Sequence, residues 1–418
     1  MTPSITPVLS EQRVAMLDTL RGFALLGILM VNIHLFYQPV SLLMLGFTGD
    51  PTKFTFDLDV IVKFFFEGKF YTLFSFLFGY GFWLFISKES TDSVKIIPVY
   101  RRRLLVLLLL GVIHIVLLWA GDILLFYALF GFVLILFRNS SDRKTIKWSV
   151  ALALMPSIVY LMLILAIRLG SMTPEGAQAI EASFNESIAG MRKLVEVATL
   201  AYSTGSFGEI VSARLKEFSS LLGGMIFFYP VALAMFLTGM LAARRRLIVN
   251  YQENLPLFTK LFWWGLTIGV IFNILYVISY QRSPMGVTSV WALLVSISHT
   301  VGGIAFCMVY VAGFVMLSVK GKLQWVSKWL APVGRMALTN YLMQSVISTT
   351  LFYSYGFALF GKVSTWQALV IALVIFLVQM LYSRYWLQYY QYGPMEWLWR
   401  SLTYLKKQPF RKLSDSEA

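Results

Sequence analysis

Apolar runs of about 20 residues recur along this chain, each long enough to cross a hydrocarbon core of roughly 30 Å. The first extends from about Met16 to Tyr37. Others fall at about 60–87, 104–119, 122–137, 148–168, 223–243, 259–280, 288–318, 333–353 and 365–387. The pattern predicts an all-α, polytopic integral membrane protein with about ten transmembrane helices. Residues 1–418 read as a single transmembrane domain. Only 13% of the residues are charged, against roughly 25% in a soluble domain. That excludes a disordered chain, a nucleic-acid module and an ordinary cytosolic enzyme. The first run is longer than a signal-peptide core and lacks a small-residue cleavage pattern, so it is expected to be retained as a helix.

The net charge of +15 reads as orientation in a bilayer rather than as a nucleic-acid surface. Arg101–Arg103, Arg138/Arg143/Lys144/Lys147, Arg244–Arg246, Lys320/Lys322/Lys328 and Lys406/Lys407/Arg411/Lys412 fall in every second connection. By the positive-inside rule both termini are expected in the cytoplasm of a multi-pass cell-membrane protein. A long connection, about residues 169–222, then lands outside. It opens with Thr173-Pro174-Glu175, a helix-start pattern, and serves either as a functional lid or as a solvated cap. The single cysteine, Cys307, excludes an intrachain disulfide and a cysteine metal cage, and no metal-ligand spacing appears.

Few polar residues interrupt the spans. Asp18 and Arg21 are three apart on one helix face and read either as an intrahelical ion pair or as an anion-binding pair. Asn32 lies about three turns beyond Arg21 on the same side. His114 sits near mid-bilayer, where an imidazole serves as a general base or as an interhelical hydrogen-bonding group. Between Trp119 and Asp122 the chain turns within Ala120-Gly121. Helical rise would separate Asp122 from His114 by about 12 Å, so direct contact is not expected. A recessed carboxylate needs water or a partner, which predicts an outward-facing polar cavity. His299 beside Ser296, Ser298 and Thr300 reads first as interhelical glue. Arg335 is either a snorkelling anchor or a phosphate ligand, and carboxylates deep within spans are scarce.

Five blocks in order resemble the YeiB family of bacterial membrane proteins, a domain of unknown function. They are Leu17-Asp18-Thr19-Leu20-Arg21-Gly22 with Asn32-Ile33; Gly68-Lys69-Phe70-Tyr71-Thr72-Leu73-Phe74 leading to Phe78-Gly79; His114 with Trp119-Ala120-Gly121-Asp122-Ile123-Leu124; Gly334-Arg335-Met336-Ala337-Leu338-Thr339-Asn340-Tyr341; and Gly393-Pro394-Met395-Glu396-Trp397-Leu398-Trp399-Arg400. That family is in turn similar to transmembrane acyltransferases, including the acyltransferase-3 group and the lysosomal heparan glucosaminide acetyltransferase. The acyltransferase-3 group pairs a first-helix Arg with a His further along; Arg21 fits the Arg, while Asn32 stands where the His is expected.

The resemblance implies transfer of an acyl group from cytosolic acyl-CoA to an extracytoplasmic glycan, lipid or small-molecule acceptor, with no metal. On that reading Asp18, Arg21, Arg335 and Asn340 hold the donor. His114 acts as the base, Asp122 orients an acceptor or a water, and Asn32 and Lys69 steady the oxyanion. It also requires a continuous polar passage joining the two mouths. The alternatives are a small-molecule or lipid transporter without covalent chemistry and a scaffold in which polar residues only lock helices. Membrane lipid is the expected surroundings and nucleic acid is not an expected partner.

Overall fold

The computed structural model describes residues 15–46, 53–87, 93–283 and 289–412. The expected positions of residues 1–14 and 413–418 lie outside the described residues, and so does the first residue of the span expected at 288–318. Fourteen α-helices occur among the described residues: α1 (Ala15–Tyr37), α2 (Leu58–Phe65), α3 (Lys69–Ile86), α4 (Ser93–Leu117), α5 (Leu124–Leu136), α6 (Asp142–Gly170), α7 (Pro174–Thr204), α8 (Phe207–Arg244), α9 (Leu255–Arg282), α10 (Val290–Val319), α11 (Leu323–Arg335), α12 (Ala337–Phe352), α13 (Thr365–Tyr389) and α14 (Pro394–Tyr404). A 3₁₀ turn spans Val40–Leu45, and the described residues hold no strand beyond one isolated bridge between Tyr390 and Arg411.

Seven segments are long and apolar enough to cross a membrane: α1, α2 with α3, α6, α8, α9, α10 and α13. The other three expected spans correspond to α4, α5 and α12, and the reasons differ. The α4 helix carries Arg101, Arg102 and Arg103; α5 has 13 residues and α12 has 16, or about 20 and 24 Å of rise. Apolar side chains exposed on α6, such as Leu154, Leu161, Met162 and Leu165, have no protein neighbour to cover them. They form the belt that hydrocarbon covers in a membrane protein.

Hydrogen bonds gather the helix ends into two faces. On the first, where α1 begins, Thr19 meets Ser327 of α11, Trp399 of α14 donates to the Arg103 carbonyl, and Arg244 and Arg245 of α8 meet Asp142 of α6. On the second, Gly361 donates to the Tyr37 carbonyl and Ser354 to that of Tyr202. The long connection is folded rather than loose. Thr173 caps α7 with Pro174 in its first turn, as the sequence predicts. A Ser206–Glu209 capping box then starts α8 well before the expected span boundary at 223. At 38 residues α8 extends about 57 Å, so its first turns stand clear of a 30 Å core.

The α1–α11 crossing depends on two glycines. A Cβ on Gly334 would stand 1.8 Å from the Asp18 carbonyl oxygen, and one on Gly22 would stand 2.1 Å from that of Leu330. The backbones therefore touch, as small residues allow between membrane helices. We predict that Gly334→Ala lowers the midpoint of thermal unfolding in detergent by several degrees, because backbone cannot yield as a flexible side chain can. Gly190→Ala on α7, where a Cβ meets nothing within 4 Å, should leave it unchanged or raise it slightly. Equal midpoints for the two variants would overturn the crossing as a determinant of stability.

Candidate active site

The site is built where α4 ends. His114 lies three residues before the end of α4, and its carbonyl accepts both the Leu118 N–H (2.8 Å) and the Trp119 N–H (2.9 Å). The second of these spans five residues and tightens the chain into reversal. Trp119 stacks on Phe36 at 4.3 Å and donates its indole N–H to the Leu35 carbonyl, fixing the turn to the far end of α1. Asp122 then begins the return: its Oδ1 accepts the Leu125 N–H at 2.7 Å, a side-chain cap on the first turn of α5. Gly111 lets α5 start this close, since a Cβ there would stand 2.4 Å from Leu125 N.

This reversal overturns the expectation that Asp122 is too distant to reach His114. Asp122 Oδ2 stands 2.9 Å from His114 Nδ1, and neither side chain has any exposure. Helical rise misjudged the distance because the helix stops at Leu117 and the chain doubles back. The separation is that of a bonded pair, but neither atom makes a well-angled hydrogen bond. The contact is a close electrostatic pairing. The expected outward-facing cavity is absent at these groups: the tip is packed shut by Trp119 and Tyr341, whose rings lie 6.4 and 5.3 Å from the imidazole.

On the other side of the imidazole, Nε2 lies 2.8 Å from Ser345 Oγ of α12. The Asp122 carboxylate favours a proton on Nδ1, which leaves Nε2 to accept the serine hydroxyl. Ser345 is buried, and sequence reasoning missed it. A serine in an apolar helix is common, and no local motif surrounds it. The available signal was its helical spacing from Tyr341 and Ser348, which puts all three on one face of α12. Ser348 Oγ is buried and has no protein partner, and the buried Tyr341 hydroxyl faces the Ile123 backbone without a well-angled hydrogen bond. Nearby, Arg214 of α8 is fully buried; it donates Nη1 to the Val116 carbonyl at 2.6 Å, while its Nε and Nη2 reach no protein acceptor.

The remaining expected site residues go elsewhere. Lys69 is buried, but its ammonium caps α2 through the Lys63 carbonyl (2.6 Å). It belongs with Glu67 and Tyr276, whose hydroxyl donates to Glu67 at 2.9 Å, and does not meet His114. Asn32 is half-buried on α1 and is not among the groups touching the imidazole. Asn340 clamps helices together: its side-chain NH2 donates to the Val333 carbonyl and Ser383 Oγ, and its backbone carbonyl accepts from Gln379, while its Oδ1 has no protein partner.

Asp18 and Arg21 form an ion pair at 2.6 Å, and Arg335 lies within electrostatic reach of Asp18. Arg103 senses both Arg21 and Arg400 and stacks on Trp399 at 3.8 Å, while Arg400 covers Tyr392. Arg21 and Arg335 thus attend the Asp18 carboxylate, and Arg103 links Arg21 to Arg400. The nearest other acid, Glu396, is occupied in accepting the Leu338 and Thr339 backbone N–H groups at the start of α12; burial holds its carboxyl above the usual carboxylate range. The polar residues form separate clusters rather than one continuous passage. No group of three or more His, Cys, Asp or Glu able to hold a metal occurs among the described residues.

Fold and site define an all-helical membrane protein with a buried Asp–His–Ser cluster. Comparison with known proteins gives its family. Residues 242–406 match the family described as "Protein of unknown function (DUF418)". The chain is 34% identical over 424 residues to "Uncharacterized protein YxaH" of Bacillus subtilis (strain 168), covering 98% of both chains. It is 30% identical over 409 residues to "Uncharacterized protein YeiB" of Escherichia coli (strain K12), covering 94% of this chain and 96% of that one. The protein belongs to this YeiB-type family.

Because Asp122 both caps α5 and faces His114, its two replacements should differ. Asp122→Asn keeps a capping oxygen, whereas Asp122→Ala removes it, at a cost of about 1 kcal/mol. Thermal unfolding should rank them wild type, then Asn, then Ala. Identical midpoints for the two variants would show that the cap contributes nothing.

Proposed function

We propose that this protein is a membrane acyltransferase that moves an acyl group from acyl-CoA at its first face to a hydroxyl or amine acceptor arriving from the second. The observation that carries this reading is the imidazole of His114, set between the Asp122 carboxylate and a hydroxyl oxygen. A base oriented by an acid and aimed at a hydroxyl is what acyl transfer to oxygen requires. The basic connections gather on the first face, which supports a cytoplasmic orientation for it and a bacterial inner-membrane location. The arginine cluster there suits the phosphates of a CoA donor, since guanidinium matches phosphate oxygens in a bidentate manner.

The geometry is compatible in length as well. From Arg103 to His114 is about 16 Å along α4, comparable to an extended pantetheine arm, which would bring the thioester to the imidazole while the phosphates stay with the arginines. Arg214, with two unspent donors beside the end of α4, suits an anionic group on the acceptor. The expected continuous passage is not formed among the described residues, so this reading requires α12 to separate from the α4–α5 turn and open a path from the arginines to the closed site.

A second reading, transport without covalent chemistry, draws on the break between α2 and α3. There Glu67 and Lys69 lie inside a membrane-length segment, and interrupted helices with ionisable groups mark transporter sites. The two readings separate in proteoliposomes supplied with acetyl-CoA. Acyl transfer predicts saturable binding and slow thioester cleavage. His114→Ala should lower the cleavage rate by about 10²–10⁴-fold, and Arg21→Ala with Arg335→Ala should weaken binding by roughly 10-fold or more. Absence of both binding and cleavage, with solute uptake in their place, would overturn the acyltransferase.

A further inference from the structure

We propose that Ser345 is a catalytic nucleophile and that the acyl group passes through a covalent ester on its Oγ. This rests on the acyltransferase reading and adds a second chemical step to it. A base that only deprotonated an external acceptor would need an open position at Nε2. Here that position is already taken by a hydroxyl of the protein, 2.8 Å away, with the opposite ring nitrogen 2.9 Å from a carboxylate. Nucleophile, base and orienting acid in this order are the arrangement that activates serine in acyl transfer on unrelated folds.

The surroundings fit the charge that would develop. Attack on a thioester carbonyl produces an oxyanion, which needs donors held in place and dry. Tyr341, four residues before Ser345, and Ser348, three after it, share its face of α12. Ser348 Oγ is buried without a protein partner, although burying an unpaired hydroxyl carries a cost, and the buried Tyr341 hydroxyl has only a poorly angled contact with the Ile123 backbone. A purely structural role for the cluster would leave that cost unexplained. An acyl oxygen seated between them would satisfy both.

The steps balance without an added oxidant or reductant. In the first, Ser345 Oγ attacks the thioester carbonyl and its proton passes to His114 Nε2. The C–S bond breaks, and the CoA sulfur leaves with that proton as the free thiol. In the second, the acceptor hydroxyl or amine attacks the serine ester and gives its proton to Nε2. The bond from the acyl carbon to Ser345 Oγ breaks, and the oxygen recovers the proton.

The full chain in detergent or nanodiscs is mixed with acetyl-CoA, and thiol release and intact protein mass are followed through the first turnover. The expected result is a burst of thiol of up to one equivalent per chain and a mass gain of one acetyl group, which peptide mapping locates on Ser345. Ser345→Ala should lose the covalent mark and slow thiol release at least 100-fold while still binding acetyl-CoA. Ser345→Cys should regain the mark as a thioester, which shows that the site still folds. Thiol release at the wild-type rate from Ser345→Ala, or an unmarked wild type that turns over, overturns the nucleophile and leaves the acyltransferase reading intact. No binding and no thiol release by the wild type overturns both.

Discussion

One carboxylate organises the centre of this protein. Asp122 caps the first turn of α5 with one oxygen and faces the imidazole of His114 with the other. A charge in a membrane interior is tolerated only when paired or hydrogen-bonded. That requirement couples the start of α5, the end of α4 and the protonation of the histidine in a single arrangement. The neighbouring contacts support it: Gly111 admits α5, Trp119 pins the turn to α1, and Ser345 completes the far side of the ring.

The same requirement accounts for the other polar clusters, though their uses differ. Glu396 satisfies the backbone donors that open α12, and Asn340 ties α11, α12 and α13 together. Glu396 and the Asn340 side-chain NH2 spend their hydrogen bonds inside the fold, although Asn340 Oδ1 has no protein partner. Arg214 and Ser348 are buried with donors that reach no protein partner. Buried polar atoms without partners are rare in folded proteins. Such atoms also occur on His34, Tyr80, Arg244, Asn273, Ser279 and Arg335; those near His114 are the ones the proposed chemistry would use.

Much was legible before any coordinates. The apolar runs at 16–37, 148–168 and 365–387 correspond to α1, α6 and α13, because twenty apolar residues in lipid have few alternatives to a helix. The pairing of Asp18 with Arg21 followed from their spacing. Cap residues announced α7. Less legible were α5 and α12, whose 13 and 16 residues fall short of an independent span although α5 is strongly apolar, and the α2–α3 break at Gly68, whose φ of +85° suits glycine. Lys69 illustrates the limit well: the acyltransferase resemblance cast it as an oxyanion donor, while its ammonium meets the end of α2.

By itself the sequence determined the class of solvent this chain folds in, the helical form of its spans and the few ionisable residues that must find partners there. Those follow from composition and local spacing. Only the tertiary structure decided which partners they found. Asp122 meets His114 because a helix ends and the chain reverses, and Ser345 joins them from 231 positions further along. Helical periodicity says which way a residue faces on its own helix, but it carries no information about the helix that will stand opposite.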